Sequence, residues 1–278
     1  MISKELQKTL HEKYNPEGSD LRLLQHHLLL LLDHFDNICK KNGIKYWLSS
    51  GTCLGAIRHQ GFIPWDDDID VEMLKEDYRK FAKLFNEDNN FVLQTYKNEL
   101  YYTEPFSKLR LKETYVNEGS FTALYINKGV FLDIFVMERS NLIVAYFCHF
   151  ILGSLRHLSF HIAKPSALTD CLFKVLKRLS FGTIDMLRFL NVISKRGELR
   201  HTIGTGLVKN VRNADDIFPL GEAIFEGKKY PVPKNYDSYL KRMFGNYMEI
   251  PSSIHTHSLT DINFLPTKIF EELKLHFK

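Results

Sequence analysis

Residues 46–70 read YWLSSGTCLGAIRHQGFIPWDDDID, and their order decides the fold. Lys45 to Leu48 is short and β-prone. Ser50, Gly51 and Thr52 break it, and Thr52 to His59 opens a helix. Gly61 to Trp65 reads as a loop around Pro64, after which Asp67-Asp68-Ile69-Asp70-Val71 alternates polar and apolar at the period of a strand. Strand, tight turn, helix and acidic strand follow one another, which predicts an α/β arrangement with carboxylates on one face of a sheet. In a strand, residues i and i+2 point the same way with Cα atoms roughly 6.5 Å apart, so Asp68 and Asp70 can grip one divalent cation.

The flanking segments fit that frame. Asp20 to Asn42 reads as a helix with Asp20 as N-cap, Leu24, Leu28, Leu31, Leu32, Phe35, Ile38 and Cys39 on one face, and Gly43 as terminator. Lys75 to Asn86 reads as a second such helix, placing Tyr78, Phe81, Ala82 and Phe85 inward. Phe91 to Thr95 and Pro105 to Leu111 read as extended, and Gly129 to Val136 is the most strand-like run in the chain. That run holds a single acid, Asp133. An ionised carboxylate among apolar neighbours is costly unless a metal or hydrogen bonds compensate it, which makes Asp133 the candidate third acid. Ala223 to Pro233 predicts a hairpin turning at Glu226-Gly227, with a short helix from Asn235 to Phe244.

Charge is unevenly spread. The whole chain of 278 residues has a formal net charge of only +4, too weak to imply nucleic acid as a partner. Between Ile151 and Arg212, however, 11 Lys and Arg face 3 Asp and Glu, so the remainder is acidic. The expected division is therefore a catalytic core over 1–140, a mainly helical basic subdomain over 141–212, and a segment over 213–278 that completes the core. Lys174, Lys177, Arg178 and Arg188 lie among leucines and phenylalanines, which suits either a helical subdomain packed on the core or an amphipathic surface resting on anionic lipid. The apolar stretch Leu142 to Leu155 falls short of the roughly 18 to 20 residues of a spanning helix, so none is expected. Scattered Cys39, Cys53, Cys148 and Cys171, with no secretory pattern at the N-terminus, predict reduced thiols and a cytoplasmic chain, associated at most with the inner face of the membrane. His255 and His257 have no Cys or acidic partner at ligand spacing, which argues against zinc.

The run from Tyr46 to Asp70 resembles the signature of the LicD family, the lipopolysaccharide and teichoic-acid cholinephosphotransferases related to fukutin-type proteins. The likeness continues through Lys108-Leu109-Arg110, Gly129 to Phe135, Val232 to Leu240 and Phe244 to Met248, where the family usually has a Tyr-Gly-Asp-Tyr-Met type run. It implies a nucleotidyltransferase-like mixed sheet flanked by helices, with Asp68, Asp70 and Asp133 as metal ligands and catalytic acids for Mg²⁺ or Mn²⁺. It also implies transfer of phosphocholine from CDP-choline, or of another group from a related CDP-alcohol, onto a glycan or lipid-linked glycan. Ribitol phosphate, phosphoethanolamine or a nucleotide are alternatives for the transferred group, and an inactive glycan-binding scaffold is the alternative of another class. One departure is the gap from Gly51 to Asp68, longer than the wider superfamily usually shows.

Chemistry assigns the remaining candidates. The turn of Ser50, Gly51 and Thr52 offers backbone N–H groups to a phosphate at a helix start. Arg58, Lys108 and Arg110 are expected beside phosphate, and His59 as a donor to it. Trp47 and Trp65 flank the site in sequence, and aromatic faces suit the quaternary ammonium of choline.

Overall fold

The computed structural model describes residues 2–85, 89–119, 122–162, 164–193, 198–201, 205–206, 210–254 and 261–275. His255 and His257, read from sequence as no zinc site, lie outside them. The chain begins with α1 (Lys4–Tyr14) and α2 (Asp20–Lys41), then β1 (Trp47–Leu48), α3 (Ser50–Arg58), β2 (Asp70–Leu74) and α4 (Lys75–Leu84). Strands β3 (Phe91–Gln94), β4 (Ser107–Leu111), β5 (Tyr115–Val116) and β6 (Phe131–Ser140) follow. Two long helices, α5 (Leu142–Phe160) and α6 (Ala167–Ile193), precede β7 (Glu198–His201), β8 (Val211–Arg212) and α7 (Ala214–Ile217). The chain closes with β9 (Gly221–Phe225), β10 (Lys228–Val232), α8 (Tyr236–Phe244), β11 (Ile262–Asn263) and α9 (Thr267–Leu275).

The main sheet runs β1-β2-β6-β4-β3, with β7 added along the second half of β6 and β8 beyond it. Among the described residues only β2 and β6 pair in parallel and the other pairings are antiparallel, so the fold is a mixed sheet flanked by helices. The segment expected to be a helical subdomain is helical through Ile193 and then returns to the sheet as β7 and β8.

Strand periodicity sorts the two faces. Val71 and Met73 of β2, Leu132, Ile134 and Val136 of β6, Leu109 and Leu111 of β4, and Phe91 and Leu93 of β3 share one face and are all buried. Against them lie Leu24, Leu28, Leu31, Leu32 and Phe35 of α2 and Phe81 of α4, one continuous core. Helix α2 starts one residue before the expected cap: the Ser19 hydroxyl accepts from Arg22 N, and Gly43 takes φ 62° just past its end. The hairpin β9–β10 turns at Glu226 and Gly227 with φ 48° and 80°, the two positive angles of a tight hairpin turn.

Candidate active site

With one face of the sheet committed to the core, the alternate residues point the other way. Register places Asp70 of β2 opposite Asp133 of β6, Asp133 opposite Lys108 of β4, and Lys108 opposite Gln94 of β3. Four polar side chains therefore form a single row across four strands. Lys108 Nζ lies 2.9 Å from Asp133 Oδ1 and 3.3 Å from Glu118 Oε2, and sits 3.2 Å from the centroid of the Phe131 ring. Burial pushes the Asp133 carboxyl up from its ordinary value, and Lys108 opposes that. Burial also works against ionisation of Glu118, yet Lys108 and Arg110 together hold it below the usual range.

The strand containing Asp70 starts later than expected, at Asp70 itself, so Asp66 to Asp68 belong to the approaching loop. There the carboxylates of Asp66, Asp67 and Asp68 bring oxygen atoms within 4.8 Å of one another. Asp70 is raised well above the carboxylate range by burial, then by Asp68, Asp133 and Asp66. Asp66 is raised by burial and by Asp68 and Asp67. Lys108 and, at longer reach, Arg58 offset only part of this concentrated negative charge. An all-carboxylate donor set carrying excess charge is what a hard divalent cation such as Mg²⁺ or Mn²⁺ takes, so the residues present fit the expected cofactor.

The turn before α3 is locked to this strand. Ser49 N donates to Asp70 O at 3.0 Å, and Asp70 N donates to Thr52 Oγ1 at 2.9 Å. Ser50 takes φ 47°, a left-handed conformation that a side-chain-bearing residue adopts only under constraint. A Cβ on Gly51 would stand 2.9 Å from Asp66 Oδ2, so only glycine lets the Asp66 carboxylate rest on the turn. Ser49 makes no cap bond to the helix; its hydroxyl is shared with Ser50 and with Tyr239 at 3.0 Å. The first turn of α3 thus opens next to the acids without a side-chain cap, with its dipole positive end toward them.

Several expected contacts lie elsewhere. Arg110 is wholly buried and fully engaged, donating to Gln94, to Gly129 O and to Glu118, so it holds the sheet and the 111–129 loop rather than a phosphate. Arg58 is buried and donates to Tyr247 O at 2.7 Å and Glu249 O at 3.0 Å, tying α3 to the chain after α8. His59 accepts from Arg58 Nε at Nε2 and donates from Nδ1 to Gln7 Oε1, leaving no ring nitrogen for a phosphate. Its protonation is pushed down to about 3 by burial and by Arg58. Trp47 is wholly buried, its indole N–H on Glu72 and its ring edge-on to Phe218, and offers no face to choline. Trp65 is half-buried with its ring edge-on to Tyr14 and His59.

Other residues reach the site without having been singled out. Asp66 was visible in the acidic run and shares the phase of Asp68 and Asp70, but it lies before the stretch read as strand. Glu118 and Glu104 carried no local signal. Glu104 is gripped by both sides of the Arg156 guanidinium at 2.7 Å, which brings α5 next to Lys108 and Asp133, since both charges act on Glu104. Glu72, two residues beyond Asp70, is fully buried and receives Arg212, Trp47 and Tyr239, anchoring the strand beneath the site.

Comparison with known proteins bears on this arrangement. Residues 43–162 match the family described as LicD/FKTN/FKRP, nucleotidyltransferase domain, a span that holds Asp66 to Asp70, Glu104, Glu118 and Asp133. The chain is 26% identical over 248 residues to the lipopolysaccharide cholinephosphotransferase LicD of Haemophilus influenzae, covering 80% of this chain and 89% of that protein. Shorter likenesses join it to human ribitol 5-phosphate transferase FKRP, 51% identical over 35 residues, 13% of this chain and 7% of that one. Human ribitol-5-phosphate transferase FKTN is 39% identical over 54 residues, 19% of this chain and 12% of that one. The acid row thus lies inside the span that matches the LicD/FKTN/FKRP nucleotidyltransferase domain, and around it the chain is similar, along four fifths of its sequence, to a LicD cholinephosphotransferase.

Proposed function

We propose that this protein transfers phosphocholine from CDP-choline to a sugar hydroxyl of a cell-surface glycan of the lipopolysaccharide or teichoic-acid type, releasing CMP. The observation that carries the reading is the row Asp70, Asp133 and Lys108, set beside Asp66 to Asp68 and the open first turn of α3. A diphosphate donor is polyanionic and fits a site that joins helix N–H groups to carboxylates able to hold Mg²⁺ or Mn²⁺. Asp68 and Asp70 would hold the ion, with Asp66 and Asp133 at its margin. When bound it supplies charge neutralisation for the diphosphate and the leaving CMP.

The chain's own residues supply the rest. Ser50, Gly51 and Thr52 receive a phosphate oxygen at the start of α3. Asp133, kept high by burial, accepts the proton of the acceptor hydroxyl as its oxygen bonds to the phosphorus bearing choline and the bond to CMP breaks. Lys108 orients Asp133 and limits how far its carboxyl rises. The likeness to FKRP and FKTN supports a second reading, ribitol phosphate as the transferred group on the same acids. Thermal unfolding in the presence of Mg²⁺ and a panel of CDP-alcohols separates the two, because a ligand of the native state raises its stability in proportion to affinity. CDP-choline is expected to give the largest shift. Undiminished transfer by an Asp68→Asn variant would rule the arrangement out.

A further inference from the structure

Helices α5 and α6 are apolar on two opposite sides. Their inner stripes, Cys148, Leu152 and Leu155 on α5 and Phe173, Phe181 and Ile184 on α6, pack on each other and on Tyr101, Tyr102 and Tyr125 of the body. Their outer stripes face solvent: Ile143 is 70% exposed, Phe150 72%, Leu168 69% and Phe189 65%, with Phe147, Leu172 and Leu179 between them. A helix apolar all round belongs in a core or in lipid, and clustered exposed apolar side chains rimmed by polar ones mark an interaction surface. By length and composition α5 reaches the range of a membrane span, a correction to the shorter stretch read from sequence, because the helix runs on through Phe160. Its inner stripe and the Arg156–Glu104 pair fix it lengthwise to the body, so it lies along a surface rather than crossing.

Charge identifies that surface. The exposed cations are Lys174 and Arg178 on α6 and Lys164 in the connection that precedes it. Of the two acids of α6, Asp170 is bonded by the Tyr101 hydroxyl, and Asp185, 62% exposed, pairs with Arg188 at 3.3 Å, which leaves the cations in excess. Lys177 is directed inward, donating to Glu99 O and Leu100 O, and adds nothing outside. A two-fold contact with a second copy would set one positively charged apolar face against an identical one, whereas an anionic bilayer complements both its charge and its apolarity.

We infer that the outer face of α5 and α6 seats the protein on an anionic membrane surface, apolar side chains in the headgroup and acyl boundary and Lys164, Lys174 and Arg178 on the lipid phosphates. Arg156 on the inner side of α5 joins this platform to Glu104 beside Lys108 and Asp133, so the docked face adjoins the acid row. That placement suits a lipid-anchored acceptor, a point that rests on the reading of the site; the docking itself does not.

Flotation of the full chain with phosphatidylcholine vesicles and with mixed phosphatidylcholine and phosphatidylglycerol vesicles tests it without turnover, so failure would leave phosphotransfer standing. Strong binding to the mixed vesicles and weak binding to the neutral ones is expected. A Phe150→Glu, Leu179→Glu double variant, both sites exposed and its unfolding temperature checked, should bind the mixed vesicles about tenfold less or weaker still. Lys174→Glu with Arg178→Glu should remove the preference for the anionic lipid, roughly tenfold or more. Absence of flotation with either vesicle, or binding unchanged in the Phe150 and Leu179 variant, overturns the inference. So does a concentration-dependent dimer that the same variant dissolves while no vesicle is bound.

Discussion

Acidification from pH 7 to pH 5 is expected to cost the folded protein about 2 kcal/mol through one imidazole, His59. Arg58 donates to its Nε2 at 2.9 Å and its Nδ1 donates to Gln7 at 2.6 Å. Protonating Nε2 would set two donors against each other and place a second positive charge beside the guanidinium. Burial and Arg58 accordingly hold the ring to about 3, against 6.5 in an unfolded chain. Between those values the unfolded chain carries the extra proton, so stability falls as pH falls, beginning near 6.5 and ending near 3. At pH 5 the loss is 1.5 units at about 1.4 kcal/mol each, hence about 2 kcal/mol. Urea unfolding at both pH values, for the native protein and a His59→Gln variant, isolates the ring. The variant starts about 1 kcal/mol less stable from the altered hydrogen bonds but loses about 2 kcal/mol less on acidification. Equal losses in the two proteins would refute the assignment. The lever is long, because Gln7 donates onward to His11, His11 to Asn15, Asn15 to Gln25 and Gln25 to the backbone oxygen of Asp66, a one-way chain that fastens α1 to the acidic loop.

Three further outcomes follow from the site. Gly51→Ala is expected to displace the Asp66 carboxylate, cutting the transfer rate about 100-fold, as initial rates will show, because reacting groups tolerate little misplacement. Lys108→Met leaves Asp133 and Glu118 buried without their shared ammonium and should cost about 3 kcal/mol in urea unfolding. Asp70→Asn relieves the repulsion that raises Asp66 and Asp70, so without divalent cation it should melt above the native protein, and Mg²⁺ should then stabilise it less than the native protein.

The elements with a strong period were legible from residues alone. Helix α2 shows its apolar stripe over six turns, β6 is a continuous apolar run around Asp133, and Glu226-Gly227 announces its hairpin. Helix α1 was not, because KELQKTLHEKY has only two leucines to mark a face and is held by polar side chains whose partners lie far along the chain. The acids of the site were legible because a carboxylate in an apolar strand requires a reason. The cations were misjudged for the converse reason: Arg58 and Arg110 look like phosphate ligands locally, and only the remote carbonyls of Tyr247 and Glu249, or the carboxylate of Glu118, show their donors already taken. Trp47 fails similarly, since its partner Glu72 is set by strand register and not by proximity in sequence.

The hairpin tip at Glu226 has a consequence for how the chain is made. Its carboxylate receives Phe62 N and the Arg22 guanidinium, and its backbone N–H bonds Gln60 O, so residues translated late brace the loop that leads into Asp66 to Asp70. Tyr239 on Ser49 and Glu72 adds a second brace from the same late segment. As the nascent chain leaves the ribosome, α2 and the first strands can gather while the acidic loop still lacks its support, and the charged pocket takes shape only after β9, β10 and α8 emerge. Assembly of the acidic site is thereby deferred until synthesis has passed residue 239.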